Sequence, residues 1–208
     1  MRKRYKGLSY GTPLALSDEM IVAVLNGHKT HTIRALSRKE ANKWQEEVDG
    51  WPCYWSVADE DWKRLPAPYG EIGDYLWVRE SYRLRDDGQA EYRLDIDPNR
   101  ETPNSDWLPV VGMPEECSRL CLQITGYRFE PHIQELRPLD VYRDGFASAL
   151  KGKRGKADIR NQFARYWNTR YRALSDKWEA NPAVWITEFK LLTLEENRAL
   201  KKAKDFLR

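Results

Sequence analysis

Apolar positions recur along this chain with two different periods, and the two periods divide it into helices and strands. Met20, Ile21, Val24 and Leu25 share one face at helical spacing. Ser17 stands before them as an N-cap, Asp18 and Glu19 put acid in the first turn, and Gly27 supplies a stop. From Thr30 the period changes to two. Thr30, Thr32 and Arg34 fall on one face of a strand, and His31, Ile33 and Ala35 on the other. Ser37 and Glu40 form a capping-box pair that opens a short polar helix to about Val48. Residues 50–69, rich in Trp, Pro and Tyr, read as a long irregular loop.

A strand follows from Tyr75 to Leu84, with Leu76 and Val78 opposed to Tyr75, Trp77 and Arg79. Asp86-Asp87-Gly88 turns it back into a strand from Ala90 to Ile96. Residues 97–116 read as a second irregular insert. Ser118 to Glu130 alternates most cleanly, and Gly126 marks a bulge or a bend within it. Pro138 opens a short helix ending near Gly145. Ile159, Phe163, Tyr166 and Trp167 line one face of a longer helix. Ala183 to Leu192 is a closing strand, and Thr193 with Glu196 caps a charged terminal helix. This order predicts an α+β fold built on a small, mostly antiparallel β-barrel flanked by helices. It is expected as a single domain over residues 1–192, with inserts near 43–69 and 97–116 and a helical extension over 193–208.

Composition adds little to that picture. The 208 residues are 41% hydrophobic and 32% charged, which is enough to build a core. Nine tryptophans and eleven tyrosines supply rings able to serve as core or as half-exposed platforms. The net charge of +3 says little about partners, but Lys151, Lys153, Arg154 and Lys156 crowd one Gly-punctuated loop and form a candidate nucleic-acid surface. Three cysteines are an odd count that argues against a disulfide framework and for a reducing, cytoplasmic setting. No signal-peptide core and no membrane-length apolar run stand out. His28 with His31, and Cys117 with Cys121, lack the second pair that a metal site needs, so neither a metal nor a cofactor is expected.

Candidate chemistry gathers in Asn26-Gly27-His28-Lys29-Thr30-His31-Thr32-Ile33-Arg34. A threonine needs a base to become a nucleophile, and a lysine serves as one only when its surroundings lower its pKa. Read by itself, the stretch is by default a solvated helix-to-strand turn.

Four segments in order change that reading. The stretch just quoted resembles the Gly-x-Lys-Thr-x-Thr-x-Arg signature of the ASCH domain, a PUA-like fold. Gly73-Asp74-Tyr75-Leu76-Trp77-Val78-Arg79-Glu80, Met113-Pro114 with Ser118-Arg119-Leu120, and Asn181 to Phe189 are similar to segments of the phage and prophage branch of that family. The resemblance implies a cleft that binds RNA, DNA or a modified nucleoside. Its pocket would be lined by Thr30 and Arg34, with Trp77, Arg79 and Glu80 contributed by the neighbouring strand. One small bacterial branch of the family removes the acetyl group from N4-acetylcytidine with a lysine, a threonine and a glutamate. Carried across by motif, Lys29 and Thr32 match the first two. Asp144 stands where the glutamate would be, one methylene shorter. The resemblance therefore implies either an amidohydrolase acting on an N-acylated pyrimidine or a non-catalytic RNA- or DNA-binding module. A protein-interaction role for the Trp-rich insert is a further alternative.

Overall fold

The computed structural model describes residues 4–5, 8–9, 11–95, 107–146 and 156–206. The fold is α+β. A mixed five-stranded sheet at its centre runs in the order β3 (Thr12–Ala15), β8 (Tyr75–Arg79), β11 (Cys121–Glu130), β12 (Val184–Leu191) and β4 (His31–Ala35). Only the β3–β8 pair is parallel. The sheet curls part-way to a barrel, so one face is an inside and the other an outside.

The pairing register sorts the side chains between those faces. Leu76, Leu122, Ile124 and Phe189 line the inner face and pack on Met20, Ile21 and Val24 of α1 (Asp18–Leu25). A register shift between Ile124 and Gly126 keeps Tyr127 and Phe129 on that same face, beside Thr187 and Trp185. This is the bulge expected at Gly126. The outer face carries Ile33, Ala35, Val184 and Ile186. It packs on Val141 of α3 (Pro138–Arg143) and on Phe163 and Trp167 of α4 (Lys156–Arg170). The terminal helix α5 (Leu194–Phe206) is tied down by Asn197 and Lys201, which donate to the carbonyls of Arg119 and Ser118 at 3.0 and 3.1 Å.

Several local expectations are met. Ser37 and Glu40 form a reciprocal capping box at α2 (Arg38–Ala41), and Thr193 and Glu196 form another. Others are corrected. The polar helix stops at Ala41, and residues 46–64 are not an irregular loop but a three-stranded meander of β5 (Glu46–Val48), β6 (Trp51–Ser56) and β7 (Asp61–Arg64). The signal was Asp49-Gly50, both with positive φ (52° and 73°), between the paired residues Val48 and Trp51. That two-residue turn has the twist antiparallel strands need.

The strand expected from Tyr75 to Leu84 is broken at Glu80 and Ser81, and resumes as β9 (Tyr82–Leu84), which pairs with β10 (Ala90–Tyr92). Glu80 turns inward at the break, and its backbone N–H meets Met113 Sδ at 3.3 Å. The return strand ends at Tyr92, and Arg93–Asp95 form a 3-10 turn. Ile96 and most of the second insert lie outside the described residues. Leu25, placed on the apolar face of α1, is half exposed.

Candidate functional site

The segment after α1 brings Lys29 to the free edge of β4. The Thr30 carbonyl and the backbone groups of residues 32 and 34 turn toward β12, so residues 31, 33 and 35 present theirs outward, where no strand among the described residues receives them. Side chains take the place of that strand. The Ile33 N–H donates to Asp144 Oδ1 at 3.2 Å, and the Ala35 N–H donates to the Tyr171 hydroxyl at 3.1 Å. The His31 carbonyl accepts from Lys29 Nζ at 3.0 Å. Lys29 Nζ also donates to the Asp144 carbonyl at 2.6 Å and to Asp144 Oδ1 at 2.8 Å. Lys29 and Asp144, only 4% and 2% exposed, thus meet across 115 residues of sequence. Gly145, at φ 90°, lets the chain leave α3 tightly there, since a Cβ would come within 3.2 Å of the Lys29 side chain.

All three ammonium donors of Lys29 are therefore in use. Burial lowers its pKa, the Asp144 carboxylate and its hydrogen bond act the other way, and the Arg170 charge adds to the lowering.

His31 is buried beside this pair, and its Nε2 lies 2.6 Å from the Asp140 carbonyl. A carbonyl only accepts, so Nε2 carries the proton. Burial pulls the pKa of His31 below 6.5, against the pull of Asp144. The unfolded chain thus binds a proton that the folded chain resists, and stability falls as the pH drops below 6.5. Between pH 7 and pH 5 the wild type is expected to lose more stability than His31→Gln in urea unfolding. Equal losses would assign the acid sensitivity to other groups.

Asp140, on α3, accepts hydrogen bonds from Arg137 and Arg128. Burial raises its pKa, but those bonds outweigh it and hold the carboxyl down to about 2.

The register divides the pocket implied by the sequence. Thr32 and Arg34 point to the inner face, where Thr32 pairs with Thr187 and Arg34 with Trp185. Thr32 is buried, and its hydroxyl is not among the partners of Lys29 Nζ. Thr30 precedes the strand, and its N–H donates to the Arg143 carbonyl. Arg34 is exposed and lies over the Tyr69 ring, 5.6 Å from its centroid.

Trp77 and Arg79 do not join them. They sit on the outer face of β8, which β11 and β12 separate from β4. There the Arg79 guanidinium stacks on Trp77 at 4.7 Å. Glu80 is 1% exposed, and both of its carboxylate oxygens accept from Arg119 at 2.8 Å. The paired sequence segments thus build a structural unit. Ser118 Oγ donates to the Val78 carbonyl at 2.9 Å, Arg119 neutralises Glu80, and Met113 caps the break in the strand. Lys151, Lys153 and Arg154 lie outside the described residues, and Lys156 opens α4.

Sequence reasoning missed several residues here. Among the described residues, Trp185 Nε1 and Thr187 Oγ1 are buried without a hydrogen-bond partner. The Tyr127 hydroxyl, in the same row, abuts the Tyr69 backbone without full hydrogen-bond geometry, and burial raises its pKa. Arg170 and Tyr171, from the end of α4, complete the β4 edge. The alternation in Trp185–Phe189 was visible, but not which of its faces turned inward. Among the described residues, no three His, Cys, Asp or Glu side chains gather as metal ligands. A groove along the β9–β10 hairpin, lined by Arg83, Asp87 and Leu108 among others, contains none of these side chains and is set aside, since the polar chemistry lies at β4.

No family model matches the chain, and no curated protein matches it. Similar solved structures include a protein from Enterococcus faecalis V583 described with the family model DUF984, at 12% identity and a TM-score of 0.38. The match covers 82% of this chain and 64% of that one, so the chain spans less than two thirds of that protein. The hypothetical protein PH0355 matches at 11% identity and a TM-score of 0.36, over 86% of this chain and 97% of that one. An ASCH domain from Lactobacillus crispatus JV V101 matches at 13% identity and a TM-score of 0.36, over 88% and 80%. Likenesses this distant carry no site or activity to this chain.

Proposed function

We propose that the inner face of the sheet at β4 and β12 recognises a pyrimidine nucleoside, free or as a base turned out of a nucleic acid, in the manner of an ASCH-type binding protein. The observation that carries this reading is the pair of orphaned polar atoms, Trp185 Nε1 and Thr187 Oγ1, beside Thr32 and Arg34. A buried donor without a partner costs about 1–3 kcal/mol, and native proteins rarely leave two side by side. A base offers such atoms both donors and acceptors. In the described conformation the site is closed. Arg34 on the Tyr69 ring is the exposed group at its mouth, and entry requires that stack to open.

Calorimetric titration of cytidine, N4-acetylcytidine and short single-stranded RNA tests the reading, with Thr187→Val as the diagnostic variant. Removing an orphaned hydroxyl without changing side-chain shape is expected to raise stability by about 1 kcal/mol. The same change is expected to weaken ligand binding by about fivefold or more. Failure of every ligand to bind, or a variant that loses stability, would overturn it.

Hydrolysis of an N-acylated pyrimidine is the second reading. The lowered pKa of Lys29 favours it, because a lysine acting as a base must first be neutral. In that scheme Thr32 attacks the amide carbonyl, and Lys29 accepts the hydroxyl proton and passes it to the pyrimidine amine as the C–N bond breaks. Water then cleaves the acyl ester to release the acid and free Thr32, and Asp144 positions the lysine. Lys29 would have to leave at least one of its present acceptors. Turnover of N4-acetylcytidine that vanishes in Thr32→Ala would establish this chemistry. Binding without turnover would leave a recognition module. Among the described residues, no helix is long and apolar enough to cross a membrane.

A further inference from the structure

Among the described residues, two arginines at the free edge of β4 form no salt bridge to a carboxylate. Arg34 makes no hydrogen bond or ion pair among the described residues and rests only on the Tyr69 ring at 5.6 Å. Arg170, at the C-terminal end of α4, makes one long contact, 3.4 Å to the Tyr166 hydroxyl. By contrast, Arg93, Arg119 and Arg128 each have a carboxylate within 3.1 Å.

The two arginines belong to one locality. Tyr171, next to Arg170 in the chain, accepts from the N–H of Ala35, next to Arg34. Tyr171 lies within electrostatic reach of both guanidinium groups and of Tyr69. Arg170 is also within reach of Asp144 and Lys29. The edge therefore carries Lys29, Arg34 and Arg170, and the Asp144 carboxylate beside them is already bonded to Lys29. Both arginines are exposed, so an anion from solution has access to them.

We infer that Arg34 and Arg170 form a phosphate-binding pair, so that the ligand of this chain is a phosphorylated nucleoside unit rather than a free nucleoside. The inference rests on the nucleoside reading of the adjoining inner face for the identity of the group that bears the phosphate. A guanidinium matches phosphate oxygens with parallel N–H donors, and two of them together favour a group carrying more than one anionic oxygen. Phosphate is the strongly acidic substituent of a nucleotide, and it would offset the positive charge that Arg170 adds beside Lys29. The shared chemistry is a phosphate ester, supplied either by a terminal monoester or by a chain phosphodiester.

Calorimetric titrations of cytidine, cytidine 5′-monophosphate, inorganic phosphate and an oligocytidine without terminal phosphate separate the cases. The monophosphate is expected to bind the wild type about tenfold or more tightly than cytidine. Arg170→Gln is expected to remove most of that ratio. Arg165→Gln, the same charge change at an exposed position of α4, is expected to keep it. Circular dichroism confirms that each variant is folded. Equal binding of cytidine and its monophosphate by the wild type, or an undiminished ratio in Arg170→Gln, overturns the phosphate pair even if cytidine binds. If cytidine does not bind but inorganic phosphate does, in an Arg170-dependent way, the pair stands and the nucleoside reading falls. Tighter binding of the oligocytidine than of the monophosphate identifies the phosphodiester as the source, and the reverse identifies the terminal ester.

Discussion

Asp144→Ala is expected to lower the stability of the protein by about 3–5 kcal/mol. The carboxylate serves two buried groups at once, the Lys29 ammonium at 2.8 Å and the Ile33 N–H at 3.2 Å. Removing it leaves a charge buried on the folded side without compensation and strips the β4 edge of one of its acceptors. Since domains are stable by about 5–15 kcal/mol, such a loss is a large part of the total. Urea unfolding of the wild type and the variant measures it.

The double variant Lys29→Met, Asp144→Leu separates charge compensation from shape, because replacing both partners of a buried pair with apolar groups of similar volume is often neutral. Most of the lost stability is expected to return. A double variant as unstable as Asp144→Ala would mean that the backbone bonds at Ile33 and His31, rather than the ion pair, hold this edge. The result also bears on function. A residue that only positions a reacting group loses activity with little change in stability, whereas Asp144 is expected to show the stability loss with or without any ligand.

Arg119→Met is the second large effect. It leaves the Glu80 carboxylate, 1% exposed, without the two donors that neutralise it. The expected loss is about 3 kcal/mol or more. For a chain of this size that lowers the midpoint of thermal unfolding by roughly 10 °C. Arg119→Lys is expected to recover only part of it, since one ammonium cannot reproduce the parallel fork of a guanidinium. Differential scanning calorimetry of both variants decides the matter. A lysine variant as stable as the wild type would show that charge alone suffices. Arg119 also pairs with Asp95 and lies 4.1 Å over the Tyr92 ring, so its loss loosens the β10 turn as well.

The α+β class, the helices at 18–25, 138–143, 156–170 and 194–206, and the strands bearing the alternating patterns were legible in the sequence. Each rests on a local signal: the capping pairs at Ser37 and Thr193, the proline at 138, the period of apolar residues. The meander over 46–64 was missed although it carried its own Asp-Gly turn, because the density of Trp and Pro masked a period-two pattern. Glu80 and Trp77 read as pocket residues because charge and aromatic area look the same in a sequence whether they face a ligand or a partner side chain.

The sequence alone therefore settles local matters: where helices begin and end, which residues of a strand share a face, and that Lys29, Thr32 and Arg34 stand where a helix stop runs into a strand. The folded chain alone decides which face turns inward, that Lys29 meets Asp144 within electrostatic reach of Arg170, and that Trp77 lies across the sheet from Thr32. A period of two assigns residues to two faces without saying what covers either. That depends on pairings between segments more than a hundred residues apart, which no local spacing encodes.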